Sequence, residues 1–306
     1  MMNNNTPLVS VIVTTFNRRE LLKETIESIL NQTYSNFELI VVDNHSDYDF
    51  FSLIKSFNDN RIRAFQNRNN GIIAVNRNYG ISKATGEFIA FCDDDDLWYA
   101  NKLEIQLAQM DNDNIIGIGS GLSIIGETKH YSKKIIKDND LYFKDIISYN
   151  NVALSSLLIS NCGILFNEER DFSYVEDFEY QCKLALVSQK FIRVLSQHLI
   201  YYRIHPNNDS SNITKAMNAL NVLVHYKKYL DIKLYGEVLQ KFYFDIAMKS
   251  LRENNDISRR YFFLSAERGA IIIKIKAIIM LPISFLPKII LIKVLNLIYY
   301  FKNIMS

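Results

Sequence analysis

The sequence lacks the features by which several large classes of protein are recognised. Its three cysteines, Cys92, Cys162 and Cys182, are far apart and form no Cys-x-x-Cys pair, which argues against a zinc site or redox centre and favours a reducing compartment. Lys and Arg total 35 against 33 Asp and Glu, so the net charge of +2 supplies no polycationic surface for nucleic acid. We therefore expect neither a disulfide-stabilised miniprotein nor a duplex-binding protein.

Two glycine-rich phosphate-binding motifs are also missing. No Gly-x-Gly-x-x-Gly follows the first apolar run, and no Gly-x-x-x-x-Gly-Lys-Ser/Thr occurs in the chain. The common dinucleotide-binding and triphosphate-binding loops are therefore disfavoured, and a phosphate group would have to be bound by another kind of site. The amino terminus has neither a basic leader nor a long apolar core, so we expect no secretory signal and a cytoplasmic protein.

What the sequence does contain is typical of a folded protein with one large domain and a smaller appendage. Of its 306 residues, 48% are hydrophobic and 22% are charged. In the first hundred residues, β-branched apolar runs alternate with amphipathic stretches, the pattern of parallel strands joined by helices. Strands are predicted over residues 9–16, 37–43, 62–65 and 88–92. One helix is predicted to begin after Asn17, which would cap it, and another to extend over residues 73–84. The pattern predicts an α/β fold.

Polar residues follow three of these predicted strands, at residues 14–17, 43–47 and 93–96. Ligands of open α/β sheets bind beyond the carboxyl ends of the strands. We therefore expect the three polar segments to converge on one edge of the sheet.

The alternation weakens after about residue 110. Residues 153–159 form an apolar strand-like run, a helix is predicted over residues 176–187, and helical patterns dominate after Thr214. Residues 270–306 contain five lysines, no Asp or Glu, and no uncharged apolar run near the roughly 18 residues of a spanning helix. This composition favours an amphipathic segment on anionic lipid, and a helical pair packed on the protein's own core is the alternative.

Four consecutive aspartates, Asp93 to Asp96, follow the fourth predicted strand. Repulsion among neighbouring carboxylates is costly unless a cation or solvent relieves it. On an extended backbone Asp93 and Asp95 share a face and offer hard oxygen ligands suited to Mg²⁺ or Mn²⁺, while Asp94 and Asp96 point elsewhere. The alternative is a solvated acidic turn in which Asp96 caps a helix beginning near Trp98.

Four segments, in this order, resemble the family 2 glycosyltransferases, which are inverting enzymes of the GT-A fold. The segments are VSVIVTTFNR, IVVDNHSD, NNGIIAVNRNYGISKATGEFIAFCDDDDLW and YVEDFEYQCKLAL, and the resemblance extends over roughly the first two thirds of the chain. The resemblance implies a GT-A domain with a mixed sheet flanked by helices over residues 1–210, followed by a helical, membrane-leaning region over residues 211–306. Within the domain, residues 1–110 would bind the nucleotide sugar and residues 111–210 the acceptor.

The resemblance also implies the residues of a site. Asp93 and Asp95 fall on the Asp-x-Asp motif that holds Mn²⁺ or Mg²⁺ on the diphosphate of a nucleotide sugar, and His205 is implied as a third metal ligand. The implied nucleotide-binding residues are Thr15, Asn17, Arg18, Asp43, Arg77, Asn78, Asp93, Asp94 and Arg203. In one departure, the loop at Asp43 reads Asp-Asn-His-Ser where the family has Asp-Asp-Gly-Ser, so the second acid and the glycine are absent.

Glu176 and Asp177 resemble the Glu-Asp motif of the family, whose aspartate deprotonates the acceptor hydroxyl. Asp177 is the expected base, with Glu176 and Glu179 as competitors. The alternative is that all three form the acidic first turn of a helix and complement its dipole. Trp98 would either stack on the acceptor sugar or anchor the following helix in the core.

The implied reaction moves a hexose, glucose or galactose, from a UDP-sugar to a lipid-linked GlcNAc, GalNAc or oligosaccharide in β linkage, during O-antigen or capsule assembly. An acceptor on a polyprenyl diphosphate would place the enzyme peripherally on the inner face of the cell membrane. Two alternatives remain: a sugar-phosphate nucleotidyltransferase, which normally needs a glycine-rich loop near its amino terminus, and a non-catalytic nucleotide-sugar-binding protein at the membrane surface. The oligomeric state stays open.

Overall fold

A computed structural model describes residues 6–110, 112–126, 137–148, 152–204, 213–251, 255–267 and 271–285. The chain divides into two compact units, Met1–Asn208 and Asp209–Ser306, which we call the N-terminal unit and the C-terminal unit.

The N-terminal unit is built on one mixed sheet that has nine strands in the described residues. In chain order the strands are β1 (Val9–Thr15), β2 (Phe37–Asp43), β3 (Ile62–Gln66), β4 (Phe88–Asp93), β5 (Leu97–Trp98), β6 (Ile115–Gly126), β7 (Asn139–Leu141), β8 (Leu158–Ser160) and β9 (Phe191–Ile204). Their order across the sheet is β3-β2-β1-β4-β8-β6-β9-β5, with β7 also paired to β9. β1 to β4 run parallel, whereas β8 is antiparallel to both β4 and β6.

Helices cover the sheet because their apolar residues recur at helical spacing. The helices of this unit are α1 (Arg19–Leu30), α2 (Phe50–Ser56), α3 (Ile73–Lys83), α4 (Lys102–Leu107), α5 (Phe143–Ile147) and α6 (Glu176–Ser188). α1 buries Leu22, Ile26 and Ile29 completely, in one core with β1 and β2. Each such side chain contributes about 1.5–3 kcal/mol relative to an exposed one.

Most of the elements predicted from the sequence are confirmed. The four strands β1 to β4 and the helices α3 and α6 lie within one residue of their predicted bounds. β1 and β2 are fully buried, β4 is buried along most of its length and β3 is half-buried, so apolar runs mark the first three more clearly than β3.

The prediction that Asn17 caps the first helix is wrong. Arg18 is the residue that precedes the first helical turn, and Asn17 has a left-handed backbone with φ of 54°. The Asn17 side chain instead accepts a hydrogen bond from the backbone N–H of Asp47 at 2.8 Å. Asn17 therefore joins the loops that follow β1 and β2.

One other local prediction is wrong, as is the helix cap in the alternative interpretation of the four aspartates. The run at residues 153–159 is a short 3₁₀ turn, Leu154–Ser156, followed by β8, because the Ser156 hydroxyl donates back to the Ala153 carbonyl at 2.8 Å. Asp96 caps no helix near Trp98, since β5 occupies that position and pairs with β9. The helix α4 begins later, after Asn101.

The C-terminal unit is helical, as predicted. Its helices are α7 (Ile213–His225), α8 (Ile232–Ser250), α9 (Asn255–Glu267) and α10 (Ile271–Ile283). Its core includes Ala247, Phe262, Ala277 and Met280 from three of these helices. Among the described residues, no helix combines the length and the apolar character needed to cross a bilayer.

Candidate active site

Sheet register brings the predicted polar segments together. Thr15 aligns with Asp43 on β2, and Thr14 aligns with Asp93 on β4. All three strands are parallel, so their carboxyl ends meet at one edge of the sheet. The predicted convergence is confirmed.

The four aspartates form an acidic turn that starts where β4 ends at Asp93. A backbone hydrogen bond from Asp96 N–H to the Asp93 carbonyl at 3.2 Å closes it. Arg18 Nη1 lies 2.9 Å from Asp94 Oδ1 and 2.8 Å from Asp95 Oδ2. The predicted alternation, with Asp94 turned away from Asp95, is therefore wrong, because the chain leaves the extended conformation after Asp93.

Burial shapes the electrostatics of this turn. Asp94 is 5% exposed, and burial raises its pKa to about 6, although Arg18 and the Thr15 hydroxyl, which donates at 2.7 Å, lower it. Burial, together with Asp93 and Asp95, holds the pKa of Asp96 well above its usual range. The turn is a concentration of negative charge that protein cations offset only in part.

Arg77 links the acidic turn to helix α6. Its guanidinium donates to Asp93 Oδ1 and to Glu176 Oε1, each at 2.9 Å, and the residue is only 5% exposed. Burial opposes its charge, but Asp93, Glu176 and Asp177 leave the pKa of Arg77 above its usual value. A buried arginine shared between two carboxylates fixes β4 and α6 relative to each other.

The three acids of the first turn of α6 have different surroundings. Glu176 is held by Arg77, and burial raises its pKa. Glu179 is fully buried, and its Oε1 lies 3.4 Å from Nζ of Lys183. Asp177 is partly exposed and accepts a hydrogen bond from the Phe178 N–H at 2.8 Å.

Arg203, near the end of β9, fastens that strand to the acidic turn. Its backbone N–H donates to Asp96 Oδ1 at 3.0 Å, and its Nε donates to the Asp95 carbonyl at 2.8 Å. Its guanidinium also contacts Glu24 on α1. The predicted metal ligand His205 lies outside the described residues.

A cavity of about 400 Å³ opens beside the acidic turn, with Thr15, Arg18 and Asp94 on one wall and Asn44, Asn69 and Asn76 also in its lining. A second cavity of about 290 Å³, with His45 and Arg68 in its lining, shares Phe16, Asn44 and Gly71 with the first. Together the two spaces suit an elongated polar ligand.

Four residues around these cavities have left-handed backbones: Asn17, His45, Asn70 and Gly71, with φ of 54°, 58°, 51° and 79°. Such conformations cost energy for residues other than glycine and are concentrated at ligand-binding sites. Hydrogen bonds between loops hold them, including Asn69 N–H to Asn44 Oδ1 at 2.9 Å.

Two predicted nucleotide-binding residues have side chains that bind protein groups. Asp43 is fully buried and accepts from Ser46 N–H and from Gln66 Nε2, each at 2.9 Å. The Asn78 amide donates to the Phe166 carbonyl at 3.0 Å and accepts from the Phe166 N–H at 2.8 Å. Asn78 therefore holds the segment that precedes α6.

Trp98 belongs to the core. It is 4% exposed, and its indole N–H donates to the Ser155 carbonyl at 3.0 Å. Of its two predicted roles, the structure supports the packing one.

Sequence reasoning missed the cavity residues Asn69 and Asn76. The available signal for Asn69 was the polar run of residues 67–70, which follows β3 just as the other polar runs follow β1, β2 and β4, whereas Asn76 lies within α3. The same strand-end rule would have placed this run at the site.

The acidic turn is chemically suited to a divalent cation. Carboxylate oxygens are the ligands that Mg²⁺ and Mn²⁺ prefer, and the cationic Arg18 already bridges two of these carboxylates. The Asp93 side chain retains 37% exposure. Because no group of three His, Cys, Asp or Glu residues in the described part of the chain could hold a metal, a bound ion would need ligand oxygens as well.

Comparison with known proteins identifies the class of the molecule. The model of glycosyl transferase family 2 matches residues 10–167, so the chain belongs to this family. Two relatives from Escherichia coli, WfaP and WfgD, are both described as UDP-Glc:alpha-D-GlcNAc-diphosphoundecaprenol beta-1,3-glucosyltransferases. WfaP is 28% identical over 78% of this chain and 93% of its own length. WfgD is 31% identical over 69% of this chain and 82% of its own length.

Solved structures support the GT-A fold. S. aureus TarS 1–349, in complex with UDP-GlcNAc, superposes with a TM-score of 0.64 at 18% identity, covering 84% of this chain and 81% of that one. The mannosyltransferase PcManGT from Pyrobaculum calidifontis, with GDP-Man and Mn²⁺, gives 0.58 at 14% identity and covers 92% and 82%. The chain is a GT-A glycosyltransferase of the bacterial polysaccharide type.

Proposed function

We propose that this protein is a metal-dependent inverting glycosyltransferase that moves a hexose from a UDP-sugar to a lipid-linked GlcNAc or GalNAc in β linkage, during O-antigen or capsule assembly. Glucose is favoured over galactose as the hexose, because both Escherichia coli relatives are described as glucosyltransferases. The observation that carries the proposal is the pair of hydrogen bonds by which Arg77 joins Asp93 of the acidic turn to Glu176, next to Asp177.

The donor diphosphate is proposed to lie at the acidic turn, with the nucleoside in the adjoining cavity. Mn²⁺ or Mg²⁺ would be held there by Asp93 and Asp95 and would neutralise charge that develops on the departing UDP. Arg18 lies at the same turn and faces the cavity, so its guanidinium can bind diphosphate oxygens.

Asp177 is proposed as the general base. It would take the proton of the acceptor hydroxyl while that oxygen forms a bond to the anomeric carbon of the donor. The bond from that carbon to the diphosphate oxygen breaks on the opposite side, and UDP leaves with the electron pair, so the configuration inverts. Arg77 and Glu176 would position Asp177 through the first turn of α6.

The acceptor lipid implies a location on the inner face of the membrane. Helix α10 supports this proposal, since Ile275, Ile278 and Ile279 are 52–58% exposed and Lys276 is exposed beside them. Replacing Ile278 and Ile279 by Gln should reduce binding to phosphatidylglycerol vesicles without uncovering the core, which contains Ala277 and Met280. Unchanged vesicle binding would contradict a membrane role for this helix.

The direct test is transfer by the purified full chain. With UDP-glucose, Mn²⁺ and a synthetic GlcNAc-diphosphate-lipid, we expect a β-linked disaccharide, and Asp177→Asn should abolish its formation. Glu169→Gln, at an exposed acid close to α6, is the matched control. Preference for UTP with a sugar phosphate would instead indicate a nucleotidyltransferase, and UDP binding without turnover would indicate a binding protein.

A further inference from the structure

Asn76 is a buried amide whose donor group has no partner in the protein. The residue is 1% exposed, lies in α3 and contributes to the lining of the larger cavity. Its Oδ1 accepts a hydrogen bond from Asn67 Nδ2 at 2.9 Å, which fixes the orientation of the amide. Its Nδ2 has no hydrogen-bond partner among the described residues.

A buried NH₂ group without a partner needs a hydrogen-bond acceptor. Buried polar atoms in folded proteins are nearly always hydrogen-bonded to protein or water, so an unpaired one needs an explanation, and a bound ligand is one such explanation. Because Asn67 holds the oxygen side of the amide, the NH₂ side is the part without a protein partner, in a residue that lines the cavity. The ligand atom that meets Asn76 must therefore be an acceptor.

Position in the sheet indicates which part of a nucleotide lies there. Asn67 follows β3, and its N–H donates to the Asp43 carbonyl at 2.9 Å. The strand order β3-β2-β1-β4 and a spacing of about 4.8 Å per strand put β3 roughly 14 Å from β4 and its carboxylates. The metal and diphosphate belong to the β4 side, so the β3 side is left for the nucleoside.

The acid that the family resemblance assigns to the nucleoside is occupied. Both oxygens of Asp43 accept hydrogen bonds from Ser46, one of them also accepts from Gln66, and the residue is fully buried, so three of its roughly four acceptor positions are used by protein groups. Uracil carries a carbonyl oxygen at the ring position where cytosine carries an amino group, and an amide NH₂ pairs only with the former.

We infer that Asn76 donates a hydrogen bond to the carbonyl oxygen at position 4 of the donor nucleobase, where cytosine has an amino group, and thereby selects uracil over cytosine. This inference rests on the proposed function, in which the cavity binds the nucleoside of the donor. It assigns nucleobase readout to an amide fixed by Asn67 in place of the carboxylate of Asp43.

The test is isothermal titration of the full chain with UDP and with CDP, each in the presence of Mn²⁺. The wild type should bind UDP at least about tenfold more tightly than CDP, as expected for one hydrogen bond against one unpaired donor. Asn76→Leu should weaken UDP binding about tenfold and leave CDP binding unchanged, so that discrimination disappears. Asn76→Asp, which keeps the shape and adds an acceptor, should shift the preference toward CDP.

Asn101→Asp is the matched control, since Asn101 is exposed in the same unit and should keep wild-type discrimination. Thermal unfolding identifies variants that do not fold, and the wild-type ratio of UDP to CDP affinity tests the inference without any variant. Equal wild-type affinities, or full discrimination in a folded Asn76 variant, would overturn the inference while leaving UDP-dependent transfer intact. Failure of the wild type to bind either nucleotide would overturn the proposed function itself.

Discussion

Two buried clusters of charge lie close together in the sequence and are neutralised in different ways. In the acidic turn, Asp94 and Asp95 form ion pairs with Arg18, which precedes α1, and Asp93 forms one with Arg77 of α3. Lys102, a few residues further on, is fully buried, and its described contacts are Gln106 Oε1 at 2.7 Å and the face of Trp98, with Nζ 4.0 Å from the ring centroid. The carboxylates of the acidic turn border a cavity, whereas Lys102 is enclosed by protein.

This difference in surroundings means that the acidic turn can exchange a protein cation for a bound one, whereas the surroundings of Lys102 cannot. A carboxylate network that borders a cavity can replace a protein cation by a ligand cation at little cost, because the charges are paired in both states. Among the described residues Lys102 has no carboxylate partner that a ligand could replace, and burial lowers its pKa to about 7, although Cys92 raises it. We therefore assign ligand binding to the acidic turn and a structural role to Lys102.

The sharpest test of this contrast is Asp95→Asn. Transfer activity should fall about 10²–10³-fold, because an electrostatic contact that stabilises the leaving group is lost. The folded state should remain as stable as the wild type or become more stable, since one of several crowded carboxylates is removed. Steady-state kinetics and urea unfolding measure the two effects. Asp113→Asn, at an exposed acid, is the control; full activity of Asp95→Asn would remove the acidic turn from catalysis.

Arg77→Lys tests whether geometry matters as well as charge. A lysine cannot donate to Asp93 and Glu176 from two fixed nitrogens, so one buried carboxylate would be left without its partner. We expect about 2–3 kcal/mol lower stability and a loss of kcat of about tenfold or more. Wild-type stability in this variant would show that charge alone is sufficient.

Lys102→Met should have the opposite effect on stability and none on transfer. Below pH 7 both the folded and the unfolded chain carry the lysine proton, and the folded chain bears the cost of the buried charge. Between pH 7 and 10.5 only the unfolded chain keeps it, so the wild type gains stability as pH rises. Removing the charge should stabilise the protein by about 2–4 kcal/mol at pH 6. The loss of the cation–π contact with Trp98 reduces this gain.

The gain from Lys102→Met should shrink as the pH approaches 10.5, the ordinary lysine value. Urea unfolding at pH 6, 8 and 10 measures the trend. A difference that does not change with pH would mean that Lys102 stays charged in the folded protein.

The smallest expected effect is that of Arg18→Gln. This variant removes the cation shared by Asp94 and Asp95, so Mn²⁺ should bind about tenfold more tightly without nucleotide, as measured by electron paramagnetic resonance. UDP binding should weaken at the same time. Arg19→Gln, which loses only an exposed pair with Glu20, should leave both unchanged. If Arg18→Gln behaves like Arg19→Gln, the acidic turn does not exchange cations.

The sequence predicts the fold and the position of the site, because both depend on short-range patterns. Buried strands are recognised in the sequence as apolar runs such as VSVIV. The carboxyl ends of parallel strands meet at one edge of the sheet. The predicted site residues Thr15, Arg18, Asp94 and Asp95 do contact one another.

Sequence patterns do not predict which side chains bind each other across long separations. Asn17 resembles a helix cap, yet its amide binds a backbone group 30 residues away. Lys102 and Gln106 have the spacing of an exposed helical pair, but the surrounding sheet and Trp98 bury them completely. Such outcomes depend on tertiary contacts that local periodicity does not encode.

The left-handed residues around the cavities bear on how tightly the proposed nucleotide would bind. Asn17, His45 and Asn70 hold conformations that an unfolded loop rarely visits, and cross-loop hydrogen bonds to Asn17 and Asn44 keep two such loops in place. A ligand that enters preorganised walls does not pay the entropic cost of ordering them. Folding therefore orders the walls of the proposed nucleotide site before any donor sugar arrives.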